Sequence, residues 1–349
     1  MSEFDLIRRY FTRATPGALL GVGDDAALLQ ASEGNVLAVS TDMLVCGTHF
    51  LHDADPFSLG HKVLAVNLSD LAAMGAAPRW ATLAIALPAA DEAWLAQFSA
   101  GFFALADQHG VELVGGDTTR GPLNLCVTIF GEVLAHQALR RSGAQVGDDI
   151  WVSGCLGDAA LALAHLQGRI ALSDAELAAC LPALHRPQPR VALGLALRGI
   201  ASSAIDISDG LLADLGHVLE ASQAGAEIEF AALPVSAVLQ ACLTPPLIKQ
   251  LAIRLGHQET MTKSLVMIRG GREGFGVEFF HRFILSGGDD YELCFTVPAA
   301  RCAELAEISA RLDLPLTRIG KIVAGRGCIV RDASGNPLDI ETGGYDHFR

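Results

Sequence analysis

Acidic residues, most of them beside glycine, are the residues of this 349-residue sequence whose types and spacing best suit chemistry. They recur in five clusters, most of them at the end of a short apolar segment. The clusters are Gly23-Asp24-Asp25, Ser40-Thr41-Asp42, Gly115-Gly116-Asp117, Asp206-Ile207-Ser208-Asp209-Gly210 and Gly287-Gly288-Asp289-Asp290. Carboxylate oxygens suit Mg²⁺, which usually shares its coordination with substrate phosphates, and glycine lets a ligand approach the backbone closely. The pattern favours a metal-assisted site for a phosphorylated ligand.

Asp70 adds a carboxylate of a less ordinary kind. It falls inside an apolar stretch with helical spacing, and a helix face filled with Ala, Leu and Val rarely holds a carboxylate without a partner. Each acidic residue also has a simpler interpretation: a Gly-Asp pair is usually a turn, Asp209 could cap a helix, and Asp42 could cap the next element. Five clusters together with Asp70 favour a functional site over six separate turns and caps.

The elements that must position these residues are short apolar strands alternating with helical patterns, which is typical of an α/β or α+β fold. Ligands of such folds sit at strand ends, where we place the acidic clusters. A domain boundary is predicted near residues 140–149, and residues 251–282 are predicted to be a long loop or insertion. The predicted strands cover 35–40, 81–87, 111–114, 123–133, 150–153 and 203–207; the predicted helices cover 59–74 and 92–109 or begin at Asp158 and Gly210.

Composition excludes several classes of function. Lys and Arg total 25 against 39 Asp and Glu, a net charge of −14, which disfavours binding to nucleic acid and to an anionic membrane surface. Hydrophobic residues make up 51% of the chain, enough for a globular core. We expect no signal peptide and no transmembrane segment. Eight scattered Cys without a CxxC pair predict buried thiols in a reducing cytoplasm.

Several nucleotide-binding motifs are missing from the sequence. It contains no GxxxxGK[ST] phosphate loop, no protein-kinase signature and no GxGxxG that opens a helix after a strand. If a nucleotide binds, its phosphates must therefore be held mainly through metal ions.

The ordered motifs resemble those of the thiamine-monophosphate kinase family, in the ATP-binding superfamily of aminoimidazole ribonucleotide synthetase. The resemblance covers nearly the whole chain, and its specificity comes from the order of motifs that are each weak alone. The motifs are Gly21-Val22-Gly23-Asp24-Asp25, Ser40-Thr41-Asp42, Gly47-Thr48-His49-Phe50, Asn67-Leu68-Ser69-Asp70, Gly115-Gly116-Asp117-Thr118-Thr119-Arg120, Arg141-Ser142-Gly143, Asp206-Ile207-Ser208-Asp209-Gly210, Gly287-Gly288-Asp289-Asp290-Tyr291 and Gly344-Tyr345-Asp346-His347-Phe348.

The resemblance implies a two-domain aminoimidazole ribonucleotide synthetase-like fold. Residues 1–140 would bind ATP and Mg²⁺ and pair with a second copy through their sheets in a homodimer. Residues 141–349 would complete the ATP and substrate site. The implied reaction is ATP-dependent phosphorylation of thiamine monophosphate to thiamine diphosphate by direct in-line transfer, with several Mg²⁺ and no assigned general base.

The resemblance also implies roles for individual residues. The implied metal ligands are Asp25, Ser40, Thr41, Asp42, Asp70, Asp117, Asp206 and Asp209. ATP would contact His109, Gly116, Asp117, Arg141 and Ser208. His109, or alternatively Gln108, takes a position where the family often has an aromatic residue. Thiamine monophosphate would contact His49, Asp289 and Tyr345.

Two other hypotheses remain open at this point. The fold could serve another chemistry of the superfamily, the synthesis of aminoimidazole ribonucleotide, formylglycinamidine or selenophosphate; the last is disfavoured because no Cys lies in the N-terminal Gly-rich segment. Alternatively, the chain could bind a nucleotide or a thiamine phosphate without catalysis, although the intact set of carboxylates argues against this. A panel of acceptors assayed for ADP release separates the enzymes, and binding without ADP formation identifies the binding protein.

Overall fold

The computed structural model describes residues 2–243 and 275–339 and contains two compact units. The first unit comprises Met1–Arg140 and His185–Asp206, and the second comprises Arg141–Leu184 and Ile207–Arg349. The sequence predicted one boundary near residues 140–149 and did not anticipate that a later segment returns to the first unit.

The described elements are ten α-helices, two short 3₁₀ helices and ten strands. The helices are α1 (Glu3–Tyr10), α2 (Pro56–Ala73), α3 (Glu92–His109), α4 (Asp158–Leu166), α5 (Asp174–His185), α6 (Val191–Ala196), α7 (Leu211–Ser222), α8 (Ala237–Cys242), α9 (Phe275–Ser286) and α10 (Ala303–Leu312). The strands are β1 (Asn35–Val45), β2 (Ala77–Leu87), β3 (Glu112–Arg120), β4 (Asn124–Leu134), β5 (Asp149–Ser153), β6 (Ser203–Asp206), β7 (Gly225–Glu229), β8 (Leu293–Val297), β9 (Leu316–Val323) and β10 (Gly327–Arg331). Across these ranges, no helix combines the length and the hydropathy of a membrane span. The cytoplasmic location stays a prediction.

In the first unit, a four-stranded sheet has the order β1-β4-β2-β3, with β4 antiparallel to both neighbours and β2 parallel to β3. Helix α2 covers one face of this sheet and packs closely on α3. A Cβ on Gly60 of α2 would lie 2.0 Å from the carbonyl oxygen of Phe98, so only glycine allows this approach. Leu64 and Leu68 of α2 are fully buried in the resulting core. This packing fixes α2 against β1, where Asp70 meets the acidic cluster of β1.

In the second unit, five strands have the order β10-β7-β9-β5-β8. Strand β10 is parallel to β7, and the remaining pairs are antiparallel. All five residues of β8 are buried, and four of them are apolar. The loops before β8 and before α7 carry the acidic clusters of this unit.

Two strands extend beyond their predicted ends, and this corrects the placement of two clusters. Strand β1 continues to Val45 and β3 to Arg120, so Ser40-Thr41-Asp42 and Gly115-Gly116-Asp117 lie inside strands and not at their ends. Strand β1 pairs with β4 along its whole length, and this ladder carries the strand past the apolar segment. Both β1 and β3 are edge strands, where polar side chains in mid-strand remain accessible.

The predicted loop over residues 251–282 is wrong in its last part, because residues 275–282 belong to α9. The earlier part of that segment lies outside the described residues. Asp206 is the last residue of β6, so this cluster does follow a strand as predicted.

Candidate functional site

Polar side chains in the last turns of α2 bond to β1 at two predicted metal ligands, Ser40 and Asp42. The Ser40 hydroxyl of β1 donates to Asp70 Oδ2 at 2.5 Å, which gives the carboxylate inside the apolar helix its polar partner. Two residues further along β1, the Asp42 N–H donates to Asn67 Oδ1 at 3.2 Å. Asn67 is fully buried, and its amide also donates to a carbonyl of its own helix. The polar residues of α2 therefore fix the backbone of β1 where Asp42 projects.

A third predicted ligand, Asp206, lies beside the same turn of α2. The Ser69 hydroxyl donates to Asp206 Oδ2 at 2.7 Å, and both residues are buried. Because Ser69 and Asp70 are consecutive, one helical turn contacts both β1 and β6. The structure thus brings Asp42, Asp70 and Asp206 to one region of the first unit, although they are far apart in sequence.

Asp117 lies on the opposite face of the same sheet. Asp42 is in register with buried Val127 of β4, on the face that α2 covers. Asp117 is in register with exposed Ala84 of β2, so its side chain is on the other face. Strands β1 and β3 are separated by two strands, and three gaps of about 4.8 Å place their backbones roughly 14 Å apart. Asp42 and Asp117 of one chain therefore cannot ligate the same ion.

We call the sheet face that α2 does not cover the open face; it carries Val39, Thr41 and Met43 of β1, Ala84 of β2, Asp117 of β3 and Cys126 and Thr128 of β4. Thr41 Oγ1 lies 2.9 Å from Thr128 Oγ1, which confirms that these side chains share it. Val39 and Met43 are 55% and 53% exposed, so the face presents apolar surface to solvent. Thr41 therefore projects away from its neighbours Ser40 and Asp42.

Gly116, predicted to contact ATP, has no room for a side chain. Its φ is +151°, and a Cβ there would lie 1.9 Å from the carbonyl oxygen of Leu83 on β2. We expect Gly116→Ala to lower the free energy of unfolding by about 1–3 kcal/mol, because the clash is with backbone that cannot move aside.

Urea denaturation of Gly116→Ala beside Gly115→Ala tests this. At Gly115 the nearest atom to an added Cβ is the Thr82 methyl at 3.8 Å, an ordinary contact. We expect this control to stay within about 0.5 kcal/mol of the wild type. Equal effects of the two substitutions would contradict the close approach at Gly116.

Two histidines of the first unit were predicted to bind ligands. His109 ends α3, and its Nε2 is buried without a hydrogen-bond partner among the described residues. Burial lowers the pKa of His109, and the nearby His61 lowers it further. His49 accepts a hydrogen bond from the Val45 N–H through Nδ1 at 3.0 Å, so the proton of its neutral ring is on Nε2. The hydrogen bond from Val45 thus sets the tautomer of a neutral His49, whereas no partner among the described residues does so at His109 Nε2.

In the second unit, two loops carrying predicted site residues are joined by backbone hydrogen bonds. The Ile207 N–H donates to the Glu292 carbonyl at 2.8 Å, and the Tyr291 N–H donates to the Ile207 carbonyl at 2.8 Å. The Asp289 N–H donates to the Ser208 carbonyl at 2.9 Å. These bonds bring the predicted ATP contact Ser208 beside the predicted substrate contact Asp289.

The carboxylate of Asp214 in α7 accepts hydrogen bonds from one of these loops. This residue was not among those singled out from the sequence. Its Oδ2 accepts the backbone N–H groups of Ser208, Asp209 and Gly210 at 3.0, 3.0 and 3.1 Å. The N-cap of α7 is Gly210, without a side-chain cap, so the interpretation of Asp209 as a helix cap is wrong. The only signal in the sequence was an acidic residue one helical turn after Gly210.

The titration of Asp214 predicts a pH dependence of stability. Burial raises the pKa of its carboxyl from 3.8 to about 7, even though the three N–H donors act in the opposite direction. Between these values the folded chain holds a proton that the unfolded chain has lost. The contribution to stability is therefore complete below pH 3.8 and is lost as the pH rises through about 7.

Urea denaturation at several pH values, compared between the wild type and Asp214→Asn, checks this dependence. We expect the stability of the wild type relative to the variant to fall by at most about 4 kcal/mol between pH 4 and pH 8. Parallel pH profiles for the two proteins would contradict the raised pKa.

The remaining predicted residues are less constrained. Asp25 is exposed in the loop before β1, and Arg141 is exposed at the start of the second unit, where its carbonyl accepts the Ser222 hydroxyl at 3.2 Å. Tyr345 lies outside the described residues. Over the ranges 2–243 and 275–339, no three His, Cys, Asp or Glu side chains are grouped so that they could hold a metal ion. The metal, ATP and substrate assignments therefore stay predictions.

Two known domain families together match most of the chain. Residues 23–133 match the AIR synthase related protein, N-terminal domain, and residues 145–333 match the AIR synthase related protein, C-terminal domain. The thiamine-monophosphate kinase of Escherichia coli (strain K12) is 47% identical over 352 aligned residues, which cover 99% of this chain and 98% of that protein.

Two solved structures are also similar to this chain. The crystal structure of thiamine-monophosphate kinase from Stenotrophomonas maltophilia K279a is 46% identical, with a TM-score of 0.78, and the match covers 97% of this chain and 98% of that one. A structure of AaThiL complexed with AMPPCP and TMP is 28% identical, with a TM-score of 0.72 and coverage of 99% and 96%. The chain is thus similar to these proteins along nearly its whole length.

Proposed function

This chain belongs to the thiamine-monophosphate kinase family, and from that premise we propose that it phosphorylates thiamine monophosphate with ATP, giving thiamine diphosphate and ADP. The observation that carries the proposal is 47% identity to a kinase of that name across 99% of this chain. The AaThiL structure, with AMPPCP and TMP bound, supports the same pair of substrates.

The proposed reaction is a direct in-line transfer. An oxygen of the thiamine monophosphate phosphate forms a bond to the γ-phosphorus of ATP, and the bond from that phosphorus to the β-phosphate oxygen breaks, releasing ADP. The attacking oxygen belongs to an ionised phosphate, so it carries no proton that a base must remove. The chain contributes by holding the two reactants in line and excluding other orientations. We assign no catalytic base.

We propose Mg²⁺ as the cofactor. Asp42, Asp70 and Asp206 lie around one turn of α2, and each would offer hard oxygen ligands; Mg²⁺ typically uses only one or two protein carboxylates while substrate phosphates complete its shell. When bound, Mg²⁺ would neutralise the charge of two polyanions in a protein that is itself acidic. The proposed ligands are Asp25, Ser40, Thr41, Asp42, Asp70, Asp117, Asp206 and Asp209.

We assign the nucleotide to Gly116, Asp117, Arg141, Ser208 and His109. Gly116 offers backbone without a side chain, and the exposed guanidinium of Arg141 matches the geometry of a phosphate. Ser208 projects from the loop that Asp214 holds, and His109 is the proposed neighbour of the adenine ring. Thiamine monophosphate is assigned to His49, Asp289 and Tyr345.

We also propose a homodimer formed through the open face of the first sheet. The support is the exposed apolar surface of Val39 and Met43 on that face, together with the separation of Asp42 and Asp117 on opposite edge strands. In a two-fold pair of facing sheets, the β1 edge of one copy can lie beside the β3 edge of the other. Asp117 of a second copy would then hold a neighbouring Mg²⁺ beside the β1 edge that carries Asp42.

Phosphorus NMR tests the proposed reaction directly. With ATP, Mg²⁺ and thiamine monophosphate, we expect the resonances of ADP and thiamine diphosphate to grow together. A sample without thiamine monophosphate controls for hydrolysis of ATP. Intact ATP in the presence of both bound substrates would overturn the proposed function.

A further inference from the structure

Asp289 and Tyr291, in the loop before β8, have an unusual backbone conformation. Among the described residues other than glycine, four have positive φ, and two of these, Gln223 and Asp313, simply end helices. The other two are Asp289 at +69° and Tyr291 at +49°. Neither is the last residue of a helix, because the preceding helix α9 ends at Ser286. This region is costly for a bulky side chain such as tyrosine, and it persists only where surrounding contacts enforce it.

The contacts that enforce it come from the loop of Ser208. The Asp289 N–H donates to the Ser208 carbonyl at 2.9 Å, and the Tyr291 N–H donates to the Ile207 carbonyl at 2.8 Å. The Tyr291 hydroxyl in turn donates to Asp289 Oδ1 at 3.0 Å. Tyr291 is only 9% exposed, so packing of its ring fixes the position from which the hydroxyl donates.

The neighbouring Asp290 shows that the two consecutive aspartates have different environments. Its carboxylate is buried and accepts the Gly157 N–H with both oxygens, at 2.9 and 3.1 Å. Burial raises the pKa of Asp290 well above its usual range. Asp290 therefore belongs to the interior, while Asp289 is partly exposed and bonded to a tyrosine hydroxyl.

We propose that Tyr291 is a positioning residue that sets the specificity for thiamine monophosphate by fixing the carboxylate of Asp289. The inference rests on the proposed function and on the assignment of Asp289 to the substrate. A carboxylate repels the phosphate end of this substrate and attracts its cationic thiazolium and the N–H donors of its aminopyrimidine. The Tyr291–Asp289 pair therefore recognises the thiamine end and leaves the phosphate free to react.

The test is the variant Tyr291→Phe, which removes one oxygen atom and keeps the ring. We expect KM for thiamine monophosphate to rise about tenfold, the loss typical of a hydrogen bond to a charged group, while KM for ATP and kcat change less than about twofold. Tyr10→Phe is the matched control, because Tyr10 is also buried but lies in α1 of the first unit. We expect it to change neither KM.

A double-variant cycle shows whether Tyr291 acts through Asp289. Binding of thiamine monophosphate is measured by titration calorimetry with AMPPCP and Mg²⁺ present. In an Asp289→Asn background, Tyr291→Phe should cause no further loss of affinity, because the group it positions has already been changed. A full tenfold loss in that background, or an equal rise in KM for ATP, would show a merely structural role and overturn the inference.

Turnover of the wild type distinguishes a failure of this inference from a failure of the proposed function. Turnover of thiamine monophosphate by the wild type, with an unchanged KM in Tyr291→Phe, would overturn the inference alone. Absence of turnover by the wild type would overturn both.

Discussion

Asp117→Asn is expected to leave a folded chain whose kcat/KM is about 100- to 1,000-fold below that of the wild type. Asp117 is exposed on the open face, so removing its charge costs little stability. The proposed loss is that of a metal ligand facing developing charge, worth roughly 3–4 kcal/mol in the transition state. ADP release measured with thiamine monophosphate, together with a thermal unfolding curve, checks both halves of the prediction.

The matched control is Asp107→Asn, which removes the same charge from another exposed site of the first unit. Asp107 forms a surface ion pair with Arg13 at 3.1 Å, and such pairs contribute little to stability. We expect activity within about twofold of the wild type, as is usual for surface substitutions. Wild-type turnover by Asp117→Asn would remove Asp117 from the metal site.

Asp214→Leu is expected to lose both stability and affinity for ATP. The substitution leaves the N–H groups of Ser208, Asp209 and Gly210 without their common acceptor, and we expect the free energy of unfolding to fall by about 3 kcal/mol. The loop that carries Ser208 and Asp209 then loses its shape, so KM for ATP rises at least about tenfold. Urea denaturation and steady-state kinetics measure the two effects.

Asp214→Asn is the matched variant, because its amide oxygen can still accept from the loop. We expect it to retain most of the stability and of the affinity for ATP at pH 7. If Asp214→Leu binds ATP as the wild type does, the loop does not depend on Asp214 for its shape. If Asp214→Asn is as impaired as Asp214→Leu, the acceptor oxygen is not the feature that matters.

Local sequence patterns predicted the helices near the site well. The span 92–109 was predicted and observed as α3, and the helix around Asp70 was predicted within three residues of its observed start and one of its end. Helical periodicity is a property of consecutive residues, so it can be read from the chain directly. The same reasoning singled out Asp70, which does lie inside an apolar helix and meets Ser40 across the first unit.

The strands were predicted less completely, because their ends depend on distant partners. The apolar pattern of β1 stops at Ser40, but pairing with β4 carries the strand five residues further, to Val45. Neither the register nor the edge positions of β1 and β3 could be obtained from local composition. As a result, the sequence grouped Asp42 with Asp117, while the structure places them on opposite faces of one sheet.

The roles of Asp214 and Tyr291, which support the site, could not be predicted from the sequence. Asp214 and Tyr291 bond to residues only two to six positions away, but the loop conformations that allow these bonds depend on the fold. An acidic residue in the first turns of a helix, or a tyrosine before an apolar strand, has no distinctive pattern. Their roles emerged from distances and from the positive φ of Tyr291.

The proposed site depends on carboxylates of the two edge strands, contributed by two copies of the chain, which hold the metal ions that serve the reacting phosphates. Co-expression of Asp42→Asn and Asp117→Asn chains with different affinity tags, followed by purification on both tags, yields mixed dimers for measurement of ADP release. Each variant alone should be nearly inactive, whereas the mixed dimer keeps one intact site of two and should show about half of the wild-type activity. A mixed dimer as inactive as its parents, or failure of the two tagged chains to copurify, would contradict the account.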